Sequence, residues 1–185
     1  MITTGLYYRK SFFRSIIKLL KEASIVFVSF RFIEGVIFSL KGDTLKKSAA
    51  DQKIKFIFSK DVNGDDTYEI LKKFNPDVIL STFTMHILKK NVIKLPKFYT
   101  IGCHPSILPN YRGLEVFFWA LVNGEKESGV SVFYMTEKID AGKVIMQENF
   151  TIDRDETVKS IYKKLTKICA KLMSQTLYKI LKEDE

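Results

Sequence analysis

Short apolar runs alternate with helical patterns along this chain, and that alternation limits the fold more than any other feature. Val78-Ile79-Leu80 is apolar at consecutive positions, and most of Tyr99 to Cys103 follows suit. Strands of that kind are buried on both faces, as in parallel sheets covered by helices. Further strands are expected at 54–58, 130–135 and 144–152. Between them the spacing predicts helices over 44–52, 67–74, 114–122 and 157–181. The last is amphipathic, with Val158, Ile161, Leu165, Ile168, Leu172, Thr176 and Leu177 along one stripe. Strands alternating with helices predict an α/β domain with a mostly parallel sheet and flanking helices.

Local punctuation supports this division. Asp61-Val62-Asn63-Gly64-Asp65-Asp66 is a turn, and its acidic end suits the positive end of the helix that follows. Asn75-Pro76-Asp77 and Leu95-Pro96 are breaks, and Asn123-Gly124 is a helix stop. The N-terminal segment is the atypical part. Residues 11–22 have helical spacing. Residues 24–40 fit one helical face for most of their length, although Ile25 to Phe30 alone also reads as a strand.

A length of 185 residues suits one domain, here 1–185 with an atypical helical segment at about 1–52. The net charge of +9 comes from lysines scattered along the chain, which reads as a solvated basic surface. Neither zinc-finger spacing nor an aromatic-basic RNA motif is present, so no specific nucleic-acid partner is expected. Two cysteines, Cys103 and Cys169, make no disulfide framework, and each reads as a core residue. With two histidines and no ligand spacing, no metal is expected. The N-terminus does not read as a signal peptide, and Arg31 and Glu34 interrupt the apolar run of 24–40. The expected location is the cytoplasm. Peripheral membrane contact is disfavoured, and the N-terminal helices are candidates for covering the sheet or forming a homodimer.

The candidate chemistry lies in His104-Pro105-Ser106-Ile107-Leu108-Pro109-Asn110-Tyr111-Arg112-Gly113 and in Ile139-Asp140-Ala141-Gly142. Ligands of α/β sheets bind beyond the carboxyl ends of the strands, where His104 stands. Pro105 and Pro109 stiffen the loop after it. Asp140 lies on a loop between two apolar strands, and a carboxylate near an imidazole orients the ring and favours its protonated form. The bland alternatives are a histidine bonded to backbone and an ordinary Asp-Ala-Gly turn. Arg112-Gly113 suits an anion. Ser106 lacks the setting of a serine nucleophile. No dinucleotide or triphosphate fingerprint is present.

The segment from His104 to Gly113 resembles the signature loop of the folate-dependent formyltransferases, which act on glycinamide ribonucleotide, methionyl-tRNA or amino sugars. The likeness continues through Trp119 to Glu125, Glu127 to Val130 and Ile139 to Gly142, and covers roughly 76–152. It implies a Rossmann-like formyltransferase-type domain that moves a formyl group from 10-formyltetrahydrofolate to a primary amine. It implies His104 and Asp140 as the catalytic pair. It implies a folate pocket walled by Met85, His86, Ile87 and Leu88 and by the loop carrying Met135, Thr136 and Ile139. Ser106, Arg112 and Gly113 would face the amine.

Two departures stand out. The family's Asn-x-His places an asparagine where this chain has Gly102, so one oxyanion donor is missing; a backbone N–H, Ser106, a water or Asn63 are candidate replacements. The family's first βα unit also reads as lost or rebuilt. The chain ends at Glu185 without the C-terminal domain typical of the tRNA enzyme, so a small amine such as an amino sugar is the expected acceptor. The alternatives are a non-catalytic folate-binding module and a formyl-folate hydrolase.

Overall fold

The computed structural model describes residues 2–4, 44–84 and 86–183. These fall into two compact units, Met1–Asp61 and Val62–Glu185.

In the first unit, strand β1 (Ile2–Thr4) is followed by helix α1 (Thr44–Asp51) and strand β2 (Ile57–Ser59). β1 and β2 run parallel, with Ile2 opposite Ile57 and Thr4 opposite Ser59. The sequence reading opens the chain with helices, and β1 corrects it: Ile-Thr-Thr is a β-branched run whose restricted χ1 favours a strand. The helices expected over 11–22 and 24–40 lie outside the described residues.

The second unit holds α2 (Asp65–Phe74), β3 (Val78–Thr82), α3 (Lys90–Ile93), β4 (Tyr99–His104), α4 (Val116–Val122), β5 (Glu127–Tyr134), β6 (Val144–Thr151) and α5 (Val158–Glu183). α2 begins two residues before the expected start, because Asp65 and Asp66 form its first turn rather than precede it. There they face the positive end of the helix dipole. Asn75 ends α2 in the left-handed region at φ 46°, its N–H bonding back to Leu71 and Lys72.

The four strands lie in the order β3-β4-β5-β6. β3 and β4 are parallel, with Leu80 opposite Ile101. β5 runs antiparallel to β4, and β6 antiparallel to β5. The sheet is therefore mixed, where the sequence pattern suggested mostly parallel pairing. For β6 the short link from β5 accounts for this, because a hairpin loop joins antiparallel neighbours whereas parallel ones need a longer crossover; β5 runs against β4 although a helix-containing segment joins them.

α5 covers one face of this sheet. Ile101, Val130 and Val132 of the strands are fully buried with Ile161, Leu165 and Leu172 of the helix. Burial of each such side chain is worth about 1.5–3 kcal/mol. The stripe expected from Val158 to Leu177 is this face in its central part, while Val158 itself is exposed. A reciprocal cap fixes where α5 starts. Thr157 N–H donates to Ser160 Oγ at 2.9 Å, and Ser160 N–H donates to Thr157 Oγ1 at 3.2 Å.

Cys103 of β4 and Cys169 of α5 lie side by side, with their Cα atoms 6.4 Å apart. The sequence reading treats them as separate core residues. They lie 66 positions apart, and only the packing of α5 on β4 shows that they meet. Among the described residues, no helix is long and apolar enough to cross a membrane.

Candidate functional site

β4 delivers His104 to the carboxyl end of the sheet, in the last rung opposite Ser131 of β5. Its side chain is buried, with 6% of the residue exposed. Nδ1 lies 3.4 Å from Oδ2 of Asp140. Nε2 lies 2.7 Å from the carbonyl oxygen of Tyr111. A carbonyl only accepts, so Nε2 carries the hydrogen and donates.

Asp140 comes from the loop between β5 and β6 and holds a left-handed backbone conformation at φ 45°. Gly142 permits the close return of that loop, because a Cβ there would overlap the carbonyl oxygen of Tyr134. Oδ2 of Asp140 also accepts the Gly113 N–H at 2.9 Å. One carboxylate oxygen thus ties the imidazole, the end of the proline loop and its own loop together. Of the bland alternatives, the histidine does bond to backbone, but the aspartate is more than a turn former.

The proline loop is braced from inside. Ser131 is fully buried. Its hydroxyl donates to Ser106 O at 2.6 Å and accepts from Leu108 N–H at 3.0 Å and Gln147 Nε2 at 2.8 Å. Gln147 also donates to Leu108 O at 2.9 Å. The Leu108–Pro109 bond is cis. At the loop's outer end, Tyr111 stands at φ 53°, its hydroxyl donating to Glu125 at 2.5 Å and accepting from Asn123 at 2.8 Å. The Asn123 bond pulls the phenol's pKa down, but the Glu125 bond, burial and the Glu125 charge outweigh it and leave the phenol above its ordinary value. Sequence reasoning missed Ser131, Gln147, Asn123, Glu125 and the Tyr111 carbonyl. Asn123-Gly124 signals a helix stop, Tyr111, Asn123 and Glu125 lie in the segments that carry the family likeness without a role being read for them, and Ser131 and Gln147 carry no local pattern.

The other expected site residues are dispersed. Ser106 is buried and donates its hydroxyl to Asn110 O at 2.7 Å. Arg112 is exposed, and Gly113 stands at φ 93° beside Asp140. Met85 lies outside the described residues. His86 is half-buried and its N–H donates to Thr84 Oγ1 at 3.2 Å. Ile87 is exposed and Leu88 buried. Thr136 and Ile139 are exposed, whereas Met135 is half-buried and its N–H donates to Thr100 O at 2.8 Å. Asn63 clamps the strip between Ile87 and Lys89, donating to Ile87 O at 2.9 Å and accepting from Lys89 N–H at 2.8 Å.

Ile87 and Leu88 share a cleft of about 800 Å³ with Tyr68, Lys89, Lys94 and Glu137, among others. Met135 lines a separate cleft of about 560 Å³ with Ile93, Tyr99 and Tyr134. His104 and Asp140 line neither. The first cleft combines the apolar side chains of Ile87, Leu88 and Leu95 with Lys89, Lys90 and Lys94, and Glu137 is also on its wall. Gly102 stands two rungs before the last one of β4, opposite Phe133. Of the four replacements suggested by sequence, the two side chains are employed elsewhere, Ser106 at Asn110 and Asn63 at the Ile87 strip.

Comparison with known proteins gives the family. The family model described as formyl transferase matches residues 35–177. Over 139 residues the chain is 37% identical to the bifunctional polymyxin resistance protein ArnA of Wigglesworthia glossinidia brevipalpis, covering 75% of this chain and 21% of that one. It is 31% identical over 137 residues to the methionyl-tRNA formyltransferase of Caldanaerobacter subterraneus subsp. tengcongensis, covering 74% and 44%. The chain thus spans less than half the length of either relative. Among solved structures, phosphoribosylglycinamide formyltransferase from Bacillus halodurans superposes with a TM-score of 0.69 at 24% identity, covering 78% of both chains. HypX from Aquifex aeolicus in complex with tetrahydrofolic acid superposes with a TM-score of 0.62 at 26% identity, covering 75% of this chain and 24% of that one. The chain belongs to the formyl transferase family.

Proposed function

We propose that this chain moves a formyl group from 10-formyltetrahydrofolate to a primary amine, with His104 and Asp140 at the centre. The observation that carries this reading is the convergence of both side chains and the Gly113 N–H at the carboxyl end of β4. A neighbour solved with tetrahydrofolic acid supports the donor. The apolar strip of Ile87 and Leu88, held in place by Asn63, suits the donor's ring system; Met85, His86, Thr136 and Ile139 are the further wall residues of this reading, while Met135 lines the separate cleft.

The donor supplies the one-carbon unit; the chain's residues supply charge and position. As an amine nitrogen bonds to the formyl carbon, negative charge grows on the formyl oxygen. His104 Nε2–H stabilises that charge, in a buried setting where such a bond is worth far more than in water. Nε2–H donates to the Tyr111 carbonyl in the structure, so the formyl oxygen replaces one carbonyl acceptor with another. Asp140 holds the ring through Nδ1 and helps remove the proton that the amine loses. The bond to the donor nitrogen breaks, and that nitrogen takes up a proton.

The acceptor we favour is a small amine, such as an amino sugar, carrying an anionic group. Exposed Arg112, next to the Gly113 that bonds Asp140, supports this choice. The test is formyl transfer from 10-formyltetrahydrofolate to a panel of amino-sugar nucleotides and phosphorylated amines. Transfer to at least one, lost in His104→Ala, supports the reading. Tight tetrahydrofolate binding with no transfer to any amine would instead make the chain a binding module. The buried, carbonyl-bonded imidazole is the observation that favours this second reading.

A further inference from the structure

Successive side chains of a strand point to opposite faces, so residues 102 and 104 share one face of β4. A side chain at 102 would stand next to His104. The structure has none there, and the space is already filled. A Cβ built on Gly102 would lie 2.7 Å from Cζ and 2.8 Å from Cε1 of Phe133, and 3.1 Å from Cγ of Met135. Phe133 is 2% exposed, and it is the residue directly opposite Gly102 in the antiparallel ladder. Aromatic rings laid over a facing glycine are a known way to cover bare backbone. The ring is hemmed in, since the β5–β6 register shift falls at Val132/Phe133 and Gly142 packs close by.

From this we infer that Phe133 is a rate-determining wall of the site. It takes the volume beside His104 that a second hydrogen-bond donor would need, so the formyl oxygen is served by one side-chain donor only. Gly102 and Phe133 therefore act as a unit. Position 102 cannot regain a polar side chain unless position 133 shrinks with it. The inference rests on the formyl-transfer reading for its chemistry, but its steric half does not.

The test is a two-site cycle of wild type, Gly102→Asn, Phe133→Ala and the double variant. Thermal unfolding is read first. Gly102→Asn alone should lower Tm by several degrees, and the same change made on the Phe133→Ala background should cost much less. The second readout is formohydroxamate formation from 10-formyltetrahydrofolate and hydroxylamine, a small acceptor that asks little of the amine pocket. The double variant should exceed Phe133→Ala by about 10²-fold in kcat, with little change in donor KM, as expected for one added oxyanion donor. Gly102→Asn that folds at the wild-type Tm would overturn the wall. A double variant that folds and binds tetrahydrofolate yet gains no rate would overturn the single-donor claim. If none of the four proteins binds tetrahydrofolate, the donor reading falls, while the Tm cycle still decides whether Phe133 excludes a side chain at 102.

Discussion

The imidazole of His104 donates through Nε2 to the carbonyl oxygen of Tyr111 at 2.7 Å, so its outer nitrogen is already engaged by the backbone of the proline loop. The proline loop therefore covers the ring N–H of His104. Access to His104 depends on how firmly Tyr111 is held, and its phenol is held by Glu125 and Asn123.

Tyr111→Phe removes both phenol bonds and leaves the carbonyl. The ring N–H of His104 should give a downfield proton resonance, protected from exchange in the wild type and exchanging several-fold faster in the variant. Equal protection in both would show that the phenol does not hold the loop.

Ser131→Ala deletes a hydroxyl that makes three bonds inside the second unit. Leu108 N–H and Ser106 O would then be left unpaired next to the core. The expected loss is about 1–3 kcal/mol in denaturant unfolding. Ser131→Thr, which keeps the hydroxyl, should lose less. A loss within error for Ser131→Ala would mean that the loop needs no internal brace.

Leu165→Ala empties a fully buried position where α5 meets the sheet. Large-to-small changes of this kind cost about 2–5 kcal/mol. A value under about 1 kcal/mol would contradict the packing of α5 described above.

Near the start of α5, Glu156 bonds Lys164 and Ser160, and the Lys164 bond is the main cause that holds its carboxyl below the ordinary value of 4.5. Lys164 is raised above 10.5 by the same Glu156 bond. A lowered carboxylate stabilises the fold fully above its unfolded value and loses that contribution as pH falls through the folded one. A raised lysine contributes below its unfolded value and loses the contribution as pH rises through the folded one. The wild-type Tm advantage over Glu156→Gln should therefore be flat across neutral pH and shrink below about pH 4.5 and above about pH 10.5. An advantage that persists unchanged into acid would contradict the ion pair.

How far the sequence revealed this protein depends on the range of each interaction. Val78-Ile79-Leu80, by its consecutive apolar positions, and the Ile161–Leu172 stripe, by its period, announced their elements because both signals are local, although Leu80 is exposed rather than buried on both faces as expected. The direction of β5 against β4 was not legible, since period-two alternation is blind to strand direction and the joining segment is long enough for either. His104 and Asp140 stood out through a stiff loop and a turn, and the family likeness joined them. The wall at Phe133 was invisible, because only register puts it over Gly102. Ser131 and Gln147 were equally silent; a serine in a strand looks the same whether it faces water or braces a loop.

The central claim is that the His104 imidazole drives formyl transfer. The direct measurement is single-turnover transfer from 10-formyltetrahydrofolate to an accepted amine, comparing wild type with His104→Ala at saturating donor. A fall of about 10²–10⁴-fold in the transfer rate, with tetrahydrofolate still bound, is the predicted result. Equal rates in the two proteins would contradict the account.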